Sequence, residues 1–158
     1  NKQYKLNYLT LMPTNIYGPD DNYDLEGSHF IPALIKKIHL AKINNKKSIT
    51  LWGNGKSRRE ILYVDDLAES VLFFMKKKTK HTLINIGTGK DMTIEKYAKK
   101  IMSVIGYNTK IKYDKKKPNG TFRKVLNISL AKMYGWQNKT NINVGLQKTY
   151  KAYIKNFK

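Results

Sequence analysis

The residues with the most chemical potential lie between Leu51 and Asp66, LWGNGKSRREILYVDD. Trp52 stands beside the glycine pair Gly53 and Gly55. Arg58 and Arg59 follow, and Asp65 and Asp66 close the stretch. Two guanidinium forks next to an aromatic ring form a socket suited to a phosphorylated ligand, because the planar fork matches phosphate oxygens and indole packs on a ring. The plainer reading is a solvated hairpin in a lysine-rich chain. His29 is a second candidate, an acid–base group between Ser28 and an apolar run. A histidine beside a helix cap is more often structural than catalytic. The three histidines, at 29, 39 and 81, are spaced too irregularly for a zinc motif, and no metal is expected.

The elements that must hold these groups can be read from periodicity. Ile49, Leu51 and Trp52 favour a strand, Gly53-Asn54-Gly55 a tight turn, and Ile61 to Val64 a second strand. Asp65 and Asp66 are placed to accept from the free N–H groups of a helix whose apolar stripe is Leu67, Val71, Leu72 and Met75. Upstream, Asn7 to Asn15 reads as a buried strand stopped by Pro13, of the kind found in parallel sheets. Tyr17 to Ser28 is a loop long enough to be functional. Ser28 is the expected N-cap of a helix from His29 to Lys42, in which Pro32 fits because it lies in the first turn.

Downstream, Thr82 to Ile86 reads as a short buried strand. Thr93 caps a helix that ends at Gly106, and Lys110 to Tyr113 alternates like an edge strand. Further strand character at Lys124 to Ile128, a short helix at Ser129 to Tyr134 and a final helix from Val144 to Phe157 complete the chain. The last helix should turn Leu146, Tyr150, Tyr153 and Ile154 inward.

The chain has 158 residues, 41% of them hydrophobic, which suits one core. With no cysteine, disulfides and thiolate metal sites are excluded, and a reducing, cytoplasmic setting is weakly favoured. No apolar run approaches a membrane span, and the opening NKQYKLNY lacks a signal-peptide core. A net charge of +20 keeps polyanion or nucleic-acid binding as an alternative function. Against it, Arg58, Arg59 and Arg123 are the sole arginines among 31 basic residues, and the lysines are dispersed instead of forming a stripe.

Three partial motifs are discounted. Gly55-Lys56-Ser57 resembles the end of a P-loop, but Thr50 occupies the first glycine position. Gly87-Thr88-Gly89 lacks a third glycine for a dinucleotide fingerprint. Tyr113 and Lys117 have the Tyr-x-x-x-Lys spacing, but on a strand running into Pro118.

Longer collinear segments carry more information: Pro13-Thr14-Asn15-Ile16-Tyr17-Gly18-Pro19, Ser28-His29-Phe30-Ile31-Pro32-Ala33-Leu34, Trp52-Gly53-x-Gly55, Arg59-Glu60, Val64-Asp65-Asp66 and Asn85-Ile86-Gly87-Thr88-Gly89. From about Tyr8 to its end the chain resembles the extended short-chain dehydrogenases that act on sugar nucleotides, and within them the GDP-L-fucose synthase branch. The resemblance implies an α/β chain, the C-terminal substrate-binding part of a Rossmann-type fold whose N-terminal dinucleotide-binding half lies outside this sequence. Residues 1–28 would be the last of the cofactor domain plus an active-site loop, and residues 29–158 the GDP-sugar domain.

The implied reaction inverts C3 and C5 of GDP-4-keto-6-deoxy-D-mannose and reduces C4 with NADPH, giving GDP-L-fucose. His29 matches the family's acid and also a cofactor-binding position. Pro13, Thr14, Asn15 and Ile16 match the segment beside the nicotinamide end of NADP(H). Lys37, Trp52, Arg59 and Asn119 match positions that hold the GDP-sugar. Two departures stand out: Lys36-Lys37 replaces a common arginine pair, and Asn119 a common acid. Implied partners are the sugar nucleotide, the cofactor half in cis or as a separate chain of a split epimerase/dehydratase, and a second copy in a homodimer. By itself the chain is expected to be inactive.

Overall fold

A computed structural model describes residues 1–25 and 27–156. The fold is α/β, with mostly parallel strand pairs. Its elements are β1 (Thr10–Pro13), β2 (Asn15–Tyr17), α1 (Phe30–Ile43), β3 (Ser48–Trp52), β4 (Arg58–Tyr63), α2 (Val64–Met75), β5 (Leu83–Ile86), β6 (Asp91–Thr93), α3 (Ile94–Ile105), β7 (Lys110–Asp114), β8 (Arg123–Lys124), α4 (Ser129–Met133) and α5 (Ile142–Asn156). The expected helix end at Phe157 lies outside the described residues. Among the described residues, no helix is long and apolar enough to cross a membrane.

The stretch around Trp52 is not a hairpin. β3 pairs in parallel with β7, whereas β4 pairs with β2 and β8 in parallel and with β6 antiparallel. The turn between them transfers the chain from one sheet to another. Gly53 and Gly55 have φ of 66° and 69°, a backbone state that side chains with a Cβ rarely adopt. Distant segments fix the turn: Gly53 N donates to Asp114 O at 2.9 Å and Glu95 N to Gly55 O at 3.1 Å.

Helix α1 follows its apolar period, burying Ile31, Leu34, Ile35 and Ile38. Its N-cap is His29, one residue later than expected, and no side chain caps it. In α2, Val71, Leu72 and Met75 face outward at 43%, 60% and 76% exposure, while Asp66, Ser70 and Phe74 are buried. Of the expected stripe, Leu67 alone packs inward, and the other three positions turn out. Asp66 does not cap α2 but accepts from Thr140 N and Oγ1 at 3.2 and 3.1 Å, and that tether to a distant segment fixes the rotation of the helix. β1 is also less buried than its composition suggests, with Met12 46% exposed. In α5 the buried residues include Leu146, Thr149 and Tyr153, and Ile154 turns outward.

Two apolar cores result. The larger joins α1, β3, β4, α3 and α5; the smaller joins Leu62, Phe74, Ile84, Ile86, Ala131 and Trp136. Glu60, on β4, is fully buried as well. Its carboxylate accepts from Thr88 N at 2.5 Å, Gly89 N at 2.6 Å and Leu126 N at 2.7 Å. A Cβ at Gly87 would fall into that carboxylate, which explains why a glycine follows β5.

Glu60→Gln should therefore lower unfolding free energy by about 2 kcal/mol or more, the scale for losing hydrogen bonds to a buried charge. Gly87→Ala acts on the same contact, so the double variant should be clearly less destabilised than the sum of the two singles. Urea denaturation of the four proteins measures this; strict additivity would refute the shared contact.

Candidate functional site

Two clefts carry the candidate residues, one along β1 and β2 at the carboxyl end of β4, the other at the carboxyl end of β3 and the start of β4. The first, about 710 Å³, is lined by Pro13 to Pro19, Asp21, His29, Val64 and Lys124 to Leu126. The second, about 360 Å³, includes Ser28, Phe30, Lys37, Trp52, Arg59, Asn119 and Gly120. Residues 28–30 and the segment 118–126 contribute to both, so the clefts share two walls. Pro13, Thr14, Asn15, Ile16 and His29 thus gather in one cleft, and Lys37, Trp52, Arg59 and Asn119 in the other. A third cleft, lined by Asp66, Lys90 and Lys100 among others, contains none of these residues.

In the first cleft, Thr14 Oγ1 and Asn15 Nδ2 both donate to Glu60 O, at 3.3 and 2.7 Å. These side chains therefore brace β2 against β4 and leave Pro13 and Ile16 to offer an apolar surface. His29 is an exposed cap whose carbonyl accepts from Ala33 N at 3.1 Å. Its imidazole makes no capping bond. Asp21, which the sequence reading left inside an undifferentiated loop, lies near enough to interact electrostatically with His29. Burial pushes its carboxyl up, and the amide of Asn22 and the charge of His29 oppose that shift.

The second cleft is cationic around an exposed indole. Trp52 is 50% exposed, and its ring lies 5.6 Å from Lys37 Nζ and 5.1 Å from Lys117 Nζ. Burial pushes the Lys37 amine below its usual value. Arg59 Nη1 donates to Arg58 O at 2.8 Å and Thr121 O at 2.6 Å, which orients the guanidinium. Any side chain at Gly120 would sit 3.2 Å from Arg59 Nη2, so glycine leaves that edge open. Asn119 anchors the wall: its Oδ1 accepts from Asn54 N at 2.8 Å and its carbonyl from Ser57 Oγ at 2.6 Å.

The two adjacent arginines divide their work. Arg58 binds Asp91 through Nε and Nη2 at 3.0 and 2.9 Å, and Arg123 Nε reaches the same carboxylate at 2.6 Å. Arg58 first, then Arg123, hold the Asp91 carboxyl well below the usual range. Arg58 is thus a clamp between β4 and β6, and Arg59 alone of the pair lines the cleft. Alternation along a strand separates the two, which adjacency in sequence does not reveal.

Comparison with known proteins adds the decisive observation: the profile of the NAD dependent epimerase/dehydratase family matches residues 1–87. The chain belongs to that family. Curated relatives include a probable GDP-L-fucose synthase 1 of Oryza sativa subsp. japonica, 40% identical over 98% of this chain and 47% of the relative. A GDP-L-colitose synthase of Yersinia pseudotuberculosis is 40% identical over 93% of this chain and 48% of the relative. Among solved structures, a GDP-mannoheptose C4 reductase from Campylobacter jejuni with NADP bound matches with a TM-score of 0.84 and 30% identity, over 98% of this chain and 55% of that one. The chain spans about half the length of the curated relatives it matches.

Of the two tryptophans, Trp136 is 3% exposed and Trp52 is open beside two ammonium groups. Iodide should therefore quench about half of the indole emission, and Trp52→Phe should abolish the quenchable fraction; equal quenching before and after that change would contradict the arrangement.

Proposed function

We propose that this chain forms the sugar-nucleotide-binding part of a GDP-L-fucose synthase, which converts GDP-4-keto-6-deoxy-D-mannose to GDP-L-fucose by C3/C5 epimerisation and C4 reduction. The observation that carries the reading is the convergence of Lys37, Trp52 and Arg59 on one cleft whose wall continues into His29. A diphosphate lies naturally beside an ammonium and an oriented guanidinium, and a ring can pack on the exposed indole. The hexose would then lie at the shared wall, within reach of His29.

Inversion next to a ketone requires removal of a proton from one face and return of a proton to the other, through an enolate. His29 returns the proton, and the base belongs to the half of the enzyme outside this sequence. NADPH, when bound, supplies the hydride for C4. The residues present fit one end of such a cofactor: Pro13 and Ile16 offer an apolar wall at the carboxyl ends of parallel strands, where nucleotide ligands bind in α/β folds. In this reading residues 1–28 complete a cofactor site and residues 29–158 carry most of the substrate contacts.

The outward apolar faces support a partner surface. Val71, Leu72 and Met75 on α2, with Tyr8 and Met12 near β1, form a face suited to packing against a cofactor half, supplied in cis or in trans. The assembled enzyme is proposed to be a cytoplasmic homodimer. The relative named for GDP-L-colitose, at the same 40% identity as the first, favours a second reading in which another GDP-L-sugar is the product.

GDP at about 100 times its Kd should stabilise the chain by about 2.7 kcal/mol, a rise in Tm of roughly 5–10 °C for a protein of this size, whereas duplex DNA at moderate salt should not. Lys37→Met or Arg59→Met should weaken GDP binding at least about tenfold. A shift with DNA but none with GDP would favour the polyanion alternative. In an enzyme completed with its cofactor half, His29→Asn should abolish epimerised product while leaving GDP binding nearly intact; unchanged turnover would refute the assignment.

A further inference from the structure

Ser28 presents a buried hydroxyl that has no hydrogen-bond partner among the described residues. A buried polar group in that condition costs folding stability, and it persists where something outside the fold satisfies it. The usual explanation, helix capping, does not apply. Helix α1 is capped at His29, and Ser28 lies one residue outside. The serine backbone is nevertheless fixed, since Ser28 N donates to Asp24 O at 3.2 Å.

The location of the hydroxyl narrows what could satisfy it. Ser28 lines the cleft of Lys37, Trp52 and Arg59, among the apolar side chains of Leu25, Phe30 and Leu34. The next residue, His29, lines the other cleft. Ser28 therefore stands where the two clefts adjoin, in the cleft of the cationic groups that would hold a diphosphate and next in the chain to the acid proposed to serve the hexose. A serine hydroxyl both donates and accepts, and a sugar hydroxyl does the same.

We propose that Ser28 is a substrate-binding residue whose hydroxyl hydrogen-bonds the hexosyl end of a sugar nucleoside diphosphate. This rests on the functional reading above and adds a specificity-determining group to it. The nucleoside and its diphosphate bind independently of Ser28, whereas the sugar does not.

The sign of the stability effect separates this role from a structural one. Removing an unsatisfied hydroxyl should leave the ligand-free fold as stable as before, or more so, whereas removing a structural cap should lower the Tm. Calorimetric titration of the chain with GDP and with GDP-mannose, for the native protein, Ser28→Ala and Ser28→Thr, provides the test. Ser28→Ala should weaken GDP-mannose about three- to tenfold, the range for one uncharged hydrogen bond, with GDP affinity and ligand-free Tm undiminished. Ser28→Thr, which keeps a hydroxyl, should recover part of the loss. Undiminished GDP-mannose affinity in Ser28→Ala would overturn the assignment, as would a parallel loss for GDP or a lowered ligand-free Tm. Failure of the native chain to bind either nucleotide would instead overturn the functional reading, and this inference with it.

Discussion

The buried carboxylate of Glu60 is the contact on which the arrangement of both clefts depends. It gathers three amides from two distant parts of the chain: Thr88 and Gly89 in the loop after β5, and Leu126 just beyond β8. Its own carbonyl accepts from Thr14 and Asn15 at the start of β2. One residue thus links the floor of the first cleft to the segment that closes both. A carboxylate buried without such donors would be severely destabilising, so this geometry and the glycine at position 87 must be present together.

Charge is distributed around this tie according to what each group touches. Arg58 and Arg123 converge on Asp91, whose side chain is 5% exposed, and hold β8 against β4 and β6. That pairing serves the fold. Lys37 and Arg59 lie along the cleft with fewer acidic neighbours, beside an exposed indole, and the burial that depresses the Lys37 amine marks a site where an incoming anion would be favoured. The remaining lysines are spread over the surface, so the net charge of +20 says less about function than the two cations at Trp52.

Local patterns were legible where local energetics decide the outcome. The period of α1, the cap at Thr93 and the left-handed stop at Gly106 follow from propensity and capping, and all are present. Pairing was not legible. Gly53-Asn54-Gly55 reads as a hairpin because nothing nearby shows that β3 has its partner at Lys110 and β4 has its partners at Asn15, Asp91 and Arg123. The outward rotation of α2 was equally hidden, since Thr140 makes the contact that turns Asp66 inward. For the site, residue type and family resemblance pointed to the cleft residues. They did not show that Arg58 is a clamp, nor that Asp21 and Ser28 stand on either side of the shared wall.

The most direct test of the central claim is amide hydrogen exchange of the chain with and without GDP. The account predicts slowed exchange in two separate segments at once, around Trp52 to Arg59 and around Asn119 to Leu126, because the ligand would bridge the turn and the wall that Glu60 and Asn119 fasten together. Protection confined to the lysine-rich run at Lys76 to Lys80, or no protection anywhere, would contradict it.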